Sequence, residues 1–380
     1  MKPAPAPVRE QAKRTPGRST AAVLAAIACG LLLTVPAAAQ KKPKPKKEEV
    51  TQTLQLPKDL PGAVTGDTRR LTFHVTPLSA RGLLSAQIRE ALKALSRETG
   101  NNPVLKIRAF VAGSGDLRRV RDIVSEVFAD RRLPLPALSL VQAGGLPMEG
   151  AQVVLEAIAA ARKDVNPHGL VFLSAPPASS DNPLDPLEPL AATSLARLKS
   201  ALQTARSQPA DVVRLTCFLS SLETLPAVRK LVEADYPRVP VNFVQTQRTP
   251  SRALASCEAV ARLTWDTGKP LLFQPESGEP QAALVAAPRV VLTASQVSFG
   301  YQESNTRLAF ERVARVLEAN GVSGKDVAFA HFYPLAESLA AQVRKLRPEF
   351  FGIPAGTLLV LEGLPGLDAG FAVDVVAVKP

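Results

Sequence analysis

The chain has 380 residues, of which 46% are hydrophobic, and a formal net charge of +12. That length and apolar content can fill the cores of three domains of about 100 residues each. Residues 1–39 and 41–49 hold most of the positive surplus, which leaves only +5 for the rest of the chain. Such a small balance, with 5% aromatic residues, excludes the basic, aromatic-lined surface of a nucleic-acid-binding protein.

The N-terminus has the pattern of a secretory signal peptide. A basic flank from Arg9 to Arg18 precedes the apolar run Ala21–Val35 and the small residues Ala37–Ala39. The run is too short for a permanent transmembrane helix. We therefore expect residues 1–39 to be a signal peptide and the protein to be periplasmic or secreted. Cys29 leaves lipidation open as a less favoured alternative, because the apolar run continues past it.

Residues 40–68 are predicted to be a basic disordered linker and lead-in. The segment Lys41–Lys47 alternates lysine with proline and holds no apolar residue that could be buried. A solvated tether is the favoured interpretation. Weak contact with an anionic surface through these lysines is the alternative.

The most informative stretch runs from Val104 to Ala160. Its periodicity predicts a strand over Val104–Val111, a helix over Leu117–Phe128, and two strands at Leu138–Gln142 and Gln152–Ile158 joined through a Gly-Gly-Leu-Pro turn. An earlier strand, Leu71–Val75, and a helix, Leu83–Ser96, precede it. The order of parts is strand, helix, strand, helix, strand, strand.

The same order occurs twice more along the chain. The second pass is predicted to contain Gly169–Ser174, Ala191–Ala205, Val212–Leu219, Leu222–Ala234, residues 240–245 and Leu254–Leu263. The third is predicted to contain Arg289–Ser295, Thr306–Asn320, Val327–Phe332, Leu335–Leu346, Pro354–Leu361 and Phe371–Val378. Repeats of this length are domains rather than solenoid units.

Individual residues recur at matching places in the three passes. A Val-Arg pair on the second helix ends at Arg121, Arg229 and Arg344, and an acid in the last strand recurs as Glu156, Glu258 and Asp374. Two prolines about ten residues apart bracket the second-last strand of each pass: Pro136 and Pro147, Pro240 and Pro250, Pro354 and Pro365.

With its proline spacing and an end strand such as Leu155–Ala159, this pattern resembles the Rid/YjgF family, also called endoribonuclease L-PSP-like. The resemblance covers three divergent tandem copies, at residues 69–163, 166–266 and 282–380, with a turn-rich linker at 267–281. It implies an α+β fold with a mixed sheet and two helices in each RidA-like (chorismate-mutase-like) unit. Family members usually form homotrimers with ligand pockets between subunits. We therefore expect a monomer that acts as an intrachain pseudo-trimer, because linking the units makes their association intramolecular.

The resemblance also implies an activity, hydrolysis of imines and enamines derived from amino acids to keto acids and ammonia. That chemistry uses an arginine to hold the substrate carboxylate and a glutamate to position water. The arginine positions here are Leu138, Asn242 and Gly356. The positions of the family's first strand acid are Val154, Ser256 and Ala372. None of these positions carries the arginine or the glutamate that this chemistry uses.

The retained charged residues are candidates for an interface or a ligand site. For Glu156, Glu258 and Asp374, a structural acid facing an arginine or a backbone N–H is favoured over catalysis. For Arg121, Arg229 and Arg344, a solvated or bridging role is favoured over anion binding. His74, His168 and His331 are far apart in sequence, so packing or surface placement is favoured over chemistry.

Cys217 and Cys257 both fall in predicted strands of the middle unit. They are expected to be a buried thiol pair, or a disulfide if those strands are neighbours. No Cys/His spacing predicts a metal site, and no motif predicts a cofactor.

Two functional hypotheses remain. In the favoured one, an exported pseudo-trimer binds a small carboxylate or imine-type metabolite, or acts as a scaffold, without catalysis. In the alternative, the chain is an imine or enamine deaminase that uses other residues. Endoribonuclease activity is least favoured, and no nucleic-acid partner is expected.

Overall fold

The computed structural model describes residues 57–113, 115–274, 281–352 and 354–380. These residues belong to one compact unit. The predicted signal peptide and the Lys41–Lys47 segment lie outside the described residues. Among the helices of the described part, none is long and apolar enough to cross a membrane.

Six α-helices and seventeen strands occur in the described residues, so the predicted α+β class is confirmed. The helices are α1 (Leu84–Glu98), α2 (Leu117–Asp130), α3 (Leu187–Thr204), α4 (Leu225–Asp235), α5 (Glu303–Ala319) and α6 (Glu337–Phe351). The strands are β1 (Ala63–Asp67), β2 (Leu71–Val75), β3 (Val104–Ala112), β4 (Ala137–Ala143), β5 (Val153–Ala160), β6 (Leu170–Ser174), β7 (Ala178–Ser180), β8 (Val212–Leu219), β9 (Val241–Gln245), β10 (Ala253–Arg262), β11 (Leu271–Gln274), β12 (Ala282–Val285), β13 (Arg289–Thr293), β14 (Gln296–Phe299), β15 (Val327–Pro334), β16 (Ala355–Leu358) and β17 (Ala369–Lys379).

The second helix shows how the sequence forms these elements. In α2, Val120, Ile123, Val124 and Phe128 recur at helical spacing, and all four are buried. The side chain of Asp116 accepts a hydrogen bond from the backbone N–H of Arg118 and so caps the first turn. Burying each large apolar side chain contributes about 1.5–3 kcal/mol. The amphipathic face, rather than helix propensity alone, therefore fixes α2 against its sheet.

The strands form three mixed sheets. The first has the order β2-β5-β3-β4, the second β11-β12-β6-β10-β8-β9, and the third β1-β13-β17-β15-β16. Two short strands lie off these paths, because β7 pairs with β10 and β14 pairs with β17. In each sheet one parallel pair, β3/β4, β8/β9 or β15/β16, accompanies antiparallel neighbours.

Two strands join a sheet other than the one their position in the sequence predicts. The lead-in strand β1 pairs with β13 of the third sheet, although it directly precedes the first unit. The strand β12 pairs with β6 of the second sheet, although residues 282–380 were expected to form the third unit. Residues 267–281, expected to be a linker, contain β11, which pairs with β12. The unit boundaries drawn from the sequence stay predictions.

Loops from the three sheets meet at one end of the structure. The backbone of Gly145 pairs with Gln245, and that of Gln142 pairs with Gly363. The third contact joins the second and third sheets, because the side chain of Arg248 lies 2.8 Å from the Glu362 carboxylate. Each pair of sheets therefore has its own contact at this end.

The two cysteines of the middle sheet form a disulfide. Cys217 on β8 lies directly opposite Cys257 on β10, and their Cα atoms are 4.2 Å apart. Both residues are buried. Of the two expected arrangements, the structure shows the one in which neighbouring strands bring the sulfur atoms together.

Candidate functional site

The three strand acids, Glu156, Glu258 and Asp374, converge in the middle of the molecule. They lie on β5, β10 and β17, and no more than 2% of any of them is exposed. In the strand register, their direct neighbours on β3, β8 and β15 are Arg108, Thr216 and His331. One strand further out, on β4, β9 and β16, the register places Ser139, Asn242 and Thr357. Each sheet thus presents an acid and two other polar residues in one row.

Each acid accepts a hydrogen bond from the outer strand of a different sheet. Asn242 of the second sheet donates to Glu156 of the first at 2.7 Å. Thr357 of the third sheet donates to Glu258 of the second at 2.6 Å. Ser139 of the first sheet donates to Asp374 of the third at 2.8 Å. The three hydrogen bonds therefore form a closed cycle around the three sheets.

Arginine and lysine side chains neutralise the acids inside this row. Arg108 donates to Glu156 and Glu258, each at 2.5 Å. Arg214 lies 3.5 Å from the Glu156 carboxylate and 3.2 Å from that of Glu258. Lys106 donates to Asp374. All three cationic residues are buried.

Two aromatic residues complete the hydrogen bonding of the third acid. His331 Nδ1 lies 3.0 Å from the Asp374 carboxylate, and its Nε2 lies 3.3 Å from that of Glu258. The Tyr333 hydroxyl donates to Asp374 at 3.0 Å.

The electrostatics of the cluster favour the charged forms of its acids. Burial acts to raise the carboxyl pKa of Glu156 and Glu258, but Arg108 and the other donor side chains around them together outweigh it, so both pKa values fall below the ordinary range. Burial also acts to raise the carboxyl pKa of Asp374, but Lys106 and His331 outweigh it and hold that pKa far below its normal value. For Lys106, burial is the larger influence and lowers its pKa.

Three buried cationic residues face three buried acids in an enclosed group of ion pairs, which is called the ionic cluster below. Its members are Lys106, Arg108, Arg214, Glu156, Glu258 and Asp374, together with His331 and Tyr333. The space beside it measures about 20 Å³ and is bordered by Lys106, Arg108, Glu156, Arg214 and His331. That volume suits a single water molecule. A metabolite does not fit there, and the side chains of the cluster form hydrogen bonds that join all three sheets.

The Val-Arg arginines do not converge on one place. The Arg121 side chain is exposed and lies 3.0 Å from the carboxylate of Asp59. The guanidinium of Arg229 lies over the ring of Phe243, 5.1 Å from its centroid. Only Arg344 lines a cleft between sheets.

The positions that match the family arginine differ from one another in their strand register. Asn242 pairs with Thr216 and points to the ionic cluster. Leu138 and Gly356 pair with Ile107 and Ala330, one residue before the cluster row. The residues in the row beside Asn242 are therefore Ser139 and Thr357.

A cleft of about 130 Å³ lies where the second sheet meets the third. Arg344 and Arg347 of α6 line it, together with the hydroxyl-bearing residues Ser174, Ser256 and Thr357. Arg344 is exposed, whereas Arg347 and the three hydroxyl residues are buried. Planar guanidinium groups beside hydroxyls are suited to hold a small carboxylate.

Sequence reasoning missed half of the ionic cluster. Lys106, Arg108 and Arg214 interrupt strands that are otherwise largely apolar, and Tyr333 is the second-last residue of β15. Charged residues at alternate positions of a buried strand need partners, and this signal would have pointed to them.

Of the histidines, His331 belongs to the cluster, His74 is half-buried beside Thr72, and His168 is exposed. Within the described residues, no group of three or more His, Cys, Asp or Glu could hold a metal ion.

The sequence matches no family model and no curated protein. Several solved structures resemble part of the chain. A YjgF-family protein from Mycobacterium tuberculosis has 18% identity over 29% of this chain and 99% of its own, with a TM-score of 0.23. A YjgF-family protein from Neisseria meningitidis has 15% identity over 29% and 95%, with a TM-score of 0.23. A Rid-family protein of unknown function from Yersinia pestis has 17% identity over 29% and 100%, with a TM-score of 0.27.

Proposed function

We propose that the chain is a single-chain trimer of Rid-like units that binds a small carboxylate metabolite in the cleft beside Arg344 and does not turn it over. Two parts of this proposal have separate support. The arrangement of the sheets supports the trimer, and the residues of the cleft support the ligand class.

The cyclic hydrogen bonding of the three strand acids supports the trimer. Asn242 reaches Glu156, Thr357 reaches Glu258, and Ser139 reaches Asp374, so every sheet both gives and receives the same contact. A heterologous contact that closes after three steps is the relationship between subunits of a cyclic trimer. Covalent linkage of the units makes this closure intramolecular.

The observation that carries the ligand proposal is the pair of arginines on α6 at the cleft. Arg344 and Arg347 lie one helical turn apart and both border the space that Ser174, Ser256 and Thr357 also line. A carboxylate takes two parallel hydrogen bonds from a guanidinium.

The absence of a suitable base supports binding without turnover. Ser256, at the position of the family's first strand acid, carries no carboxylate, and its hydroxyl donates to the Ala175 carbonyl at 3.2 Å. Glu258 lies behind Thr357, but Arg108, Arg214 and Thr357 already occupy its oxygens. With its pKa held well below normal, that carboxylate is a weak proton acceptor.

Titration of the full-length mature protein with pyruvate and 2-oxobutanoate tests the ligand class. We expect saturable binding by calorimetry and at least a tenfold loss of affinity in Arg344→Gln, since about 1.4 kcal/mol corresponds to that factor. Arg344→Lys should lie between the two, because an ammonium cannot pair with a carboxylate through two parallel bonds. The matched controls are Arg121→Gln and Arg229→Gln, which should bind like the unaltered protein.

Ammonia release from freshly generated 2-iminopropanoate tests the absence of catalysis. We expect the rate with protein to equal the rate in buffer. A protein-dependent rate that Arg344→Gln lowers would show that the chain is an imine deaminase and would overturn this part of the proposal.

We also propose that the protein is exported. Its signal-peptide pattern and the buried disulfide between Cys217 and Cys257 support an oxidising compartment. Expression with and without residues 1–39, followed by fractionation of the cells, tests this. Retention of the full chain in the cytoplasm would contradict it.

A further inference from the structure

The three sheets differ at one edge. In each sheet a strand lies on the far side of the acid-bearing strand: β2 beside β5, β6 beside β10, and β13 beside β17. In the second sheet β12 pairs antiparallel with the outer edge of β6, and in the third β1 pairs antiparallel with the outer edge of β13. In the first sheet β2 is the edge, and no described strand pairs with its outer side.

The backbone of β2 has hydrogen-bonding groups on that outer side. Ala161 donates to the Arg70 carbonyl and Thr76 donates to the Leu155 carbonyl. In an antiparallel pair, the backbone N–H and C=O groups of successive residues point alternately towards the partner strand and away from it. The backbone groups of Thr72 and His74 therefore point towards β5, and those of Phe73 and Val75 point to the outer side. Within the described residues, no backbone hydrogen bond joins Phe73 or Val75 to anything beyond β2.

A groove of about 890 Å³, the β2 groove, lies along this edge. One wall is β2, and the other comes from the second unit, from Gln208–Ala210, from Val212 and Val213, and from Ala234–Pro240. The two filled positions have the same surroundings, since β1 lies against β3 and β12 lies against β15. In the β2 groove, the start of β8 takes the place that β3 and β15 have beside the two filled positions. It is therefore the position that a strand occupies in each of the other two sheets.

We propose that the β2 groove binds an extended acidic segment of a partner protein, which adds to the first sheet as a strand antiparallel to β2. Addition of a strand to β2 needs only one extended segment, whereas a second copy of this chain would have to bring a whole sheet edge against β2. The segments β1 and β12 that fill the sister positions have four or five residues, so a segment of this length suffices.

The charges of the groove define the chemistry of the partner. Arg238 and Arg262 line it, and both are exposed. The one acid that lines it, Asp235, already pairs with Lys199 at 3.0 Å. Burial lowers the pKa of His74, so that side chain adds no positive charge at neutral pH. A segment with small apolar residues and flanking Asp or Glu residues fits these surroundings, and main-chain hydrogen bonds provide the affinity in this mode of recognition.

The test uses the full mature chain and a fluorescent eight-residue peptide that carries the Ala-Ala-Leu-Val core of β12 between two pairs of glutamates. We expect saturable binding that weakens as salt increases, with slower hydrogen exchange at the amides of Phe73 and Val75. Val75→Pro removes an outward N–H and should weaken binding at least tenfold, whereas Val75→Ala keeps that N–H and should bind within about threefold of the unaltered protein. Arg238→Glu with Arg262→Glu should weaken binding of the glutamate peptide and strengthen binding of a peptide with lysines in the flanks.

Three results would overturn the proposal. These are no binding of the glutamate peptide at about 1 mM, equal binding by Val75→Pro and Val75→Ala, and equal affinity for the glutamate and lysine peptides. A dimer that sedimentation detects in the unaltered protein, and that Val75→Pro abolishes, would assign the edge to a second copy instead. None of these results depends on whether the cleft beside Arg344 binds a carboxylate.

Discussion

Arg108 Nη2 lies 2.5 Å from the carboxylate of Glu258, although the two residues belong to different sheets. The same nitrogen lies 2.5 Å from Glu156 within its own sheet. One guanidinium thus connects two acids that are both fully enclosed. This contact makes the packing of the sheets depend on charge as well as on apolar burial.

Replacement of Arg108 by methionine should destabilise the protein strongly. The substitution leaves two buried carboxylates without their shared partner, and breaking a buried pair from one side costs about 3–5 kcal/mol. Urea denaturation followed by circular dichroism measures the change. Arg121→Met, which removes an exposed ion pair with Asp59, is the control and should stay within about 0.5 kcal/mol. A loss below about 1 kcal/mol in Arg108→Met would show that the cluster does not hold the fold.

Stability should fall in acid. The folded-state pKa values of Glu156, Glu258 and Asp374 lie below their ordinary values of 4.5, 4.5 and 3.8. The unfolded chain therefore binds more protons than the folded protein once the pH drops towards those ordinary values, and the free energy of unfolding decreases as the pH falls further. Urea midpoints measured from neutral pH to about pH 3 should decrease steadily below about pH 5. A midpoint that stays constant over this range would contradict the prediction.

Loss of the disulfide should weaken the middle sheet. The cysteines are 40 residues apart in sequence, and closing a loop of that size stabilises a protein by about 4 kcal/mol in the chain-entropy model. We expect the double variant Cys217→Ala with Cys257→Ala to lose about 2–4 kcal/mol of unfolding free energy. Because both sulfurs are buried, alkylation after treatment with a reductant should require denaturant. Rapid labelling of the native protein would show that the bond is exposed.

The loop at Gly144 should not tolerate a side chain. A Cβ there would lie 2.3 Å from the Gln247 carbonyl carbon and 2.5 Å from the Arg248 nitrogen, both backbone atoms of the facing loop. Gly144→Ala must therefore push the first and second sheets apart at this end, at a cost of about 1–3 kcal/mol. Gly62→Ala is the matched control, because its Cβ would only make ordinary contacts with Val316. Equal melting temperatures for the two variants would contradict this.

Most of the secondary structure could be predicted because apolar periodicity determines it locally. The strand predicted at Val104–Val111 is β3, and the strand predicted at Val327–Phe332 is β15, which ends two residues later. The helix predicted at Ala191 begins earlier, at Leu187, since Pro189 is tolerated in a first helical turn.

Sheet membership could not be predicted in the same way. The sequence patterns predict no strand at β1 or β12, and in the structure β1 joins β13 and β12 joins β6. The alternation of residues in a strand gives the face that it buries and not the strand beside which it lies. Pairing is a long-range choice, and a single sequence holds no signal for it here.

The site was predicted in part. The recurrence of Glu156, Glu258 and Asp374 marked them as a set. Their cationic partners are not shared by all three sheets: Lys106 and Arg214 occupy matching places, but Phe329 stands there in the third sheet. The residues that pair directly with the acids also differ, since they are Arg108, Thr216 and His331. A repeat pattern finds only what all units share. The register also places Ser139 and Thr357, rather than Leu138 and Gly356, beside Asn242, because proline spacing fixes a strand to within a residue only.

The position of β1 has a consequence for how the protein is made. This strand leaves the ribosome first among those described, yet its partner β13 emerges only after every strand of the first and second sheets. Until then β1 has no partner to pair with. Synthesis of the third sheet therefore gives the first described strand its partner, and a nascent polypeptide that stops before β13 would leave the backbone groups of β1 unpaired.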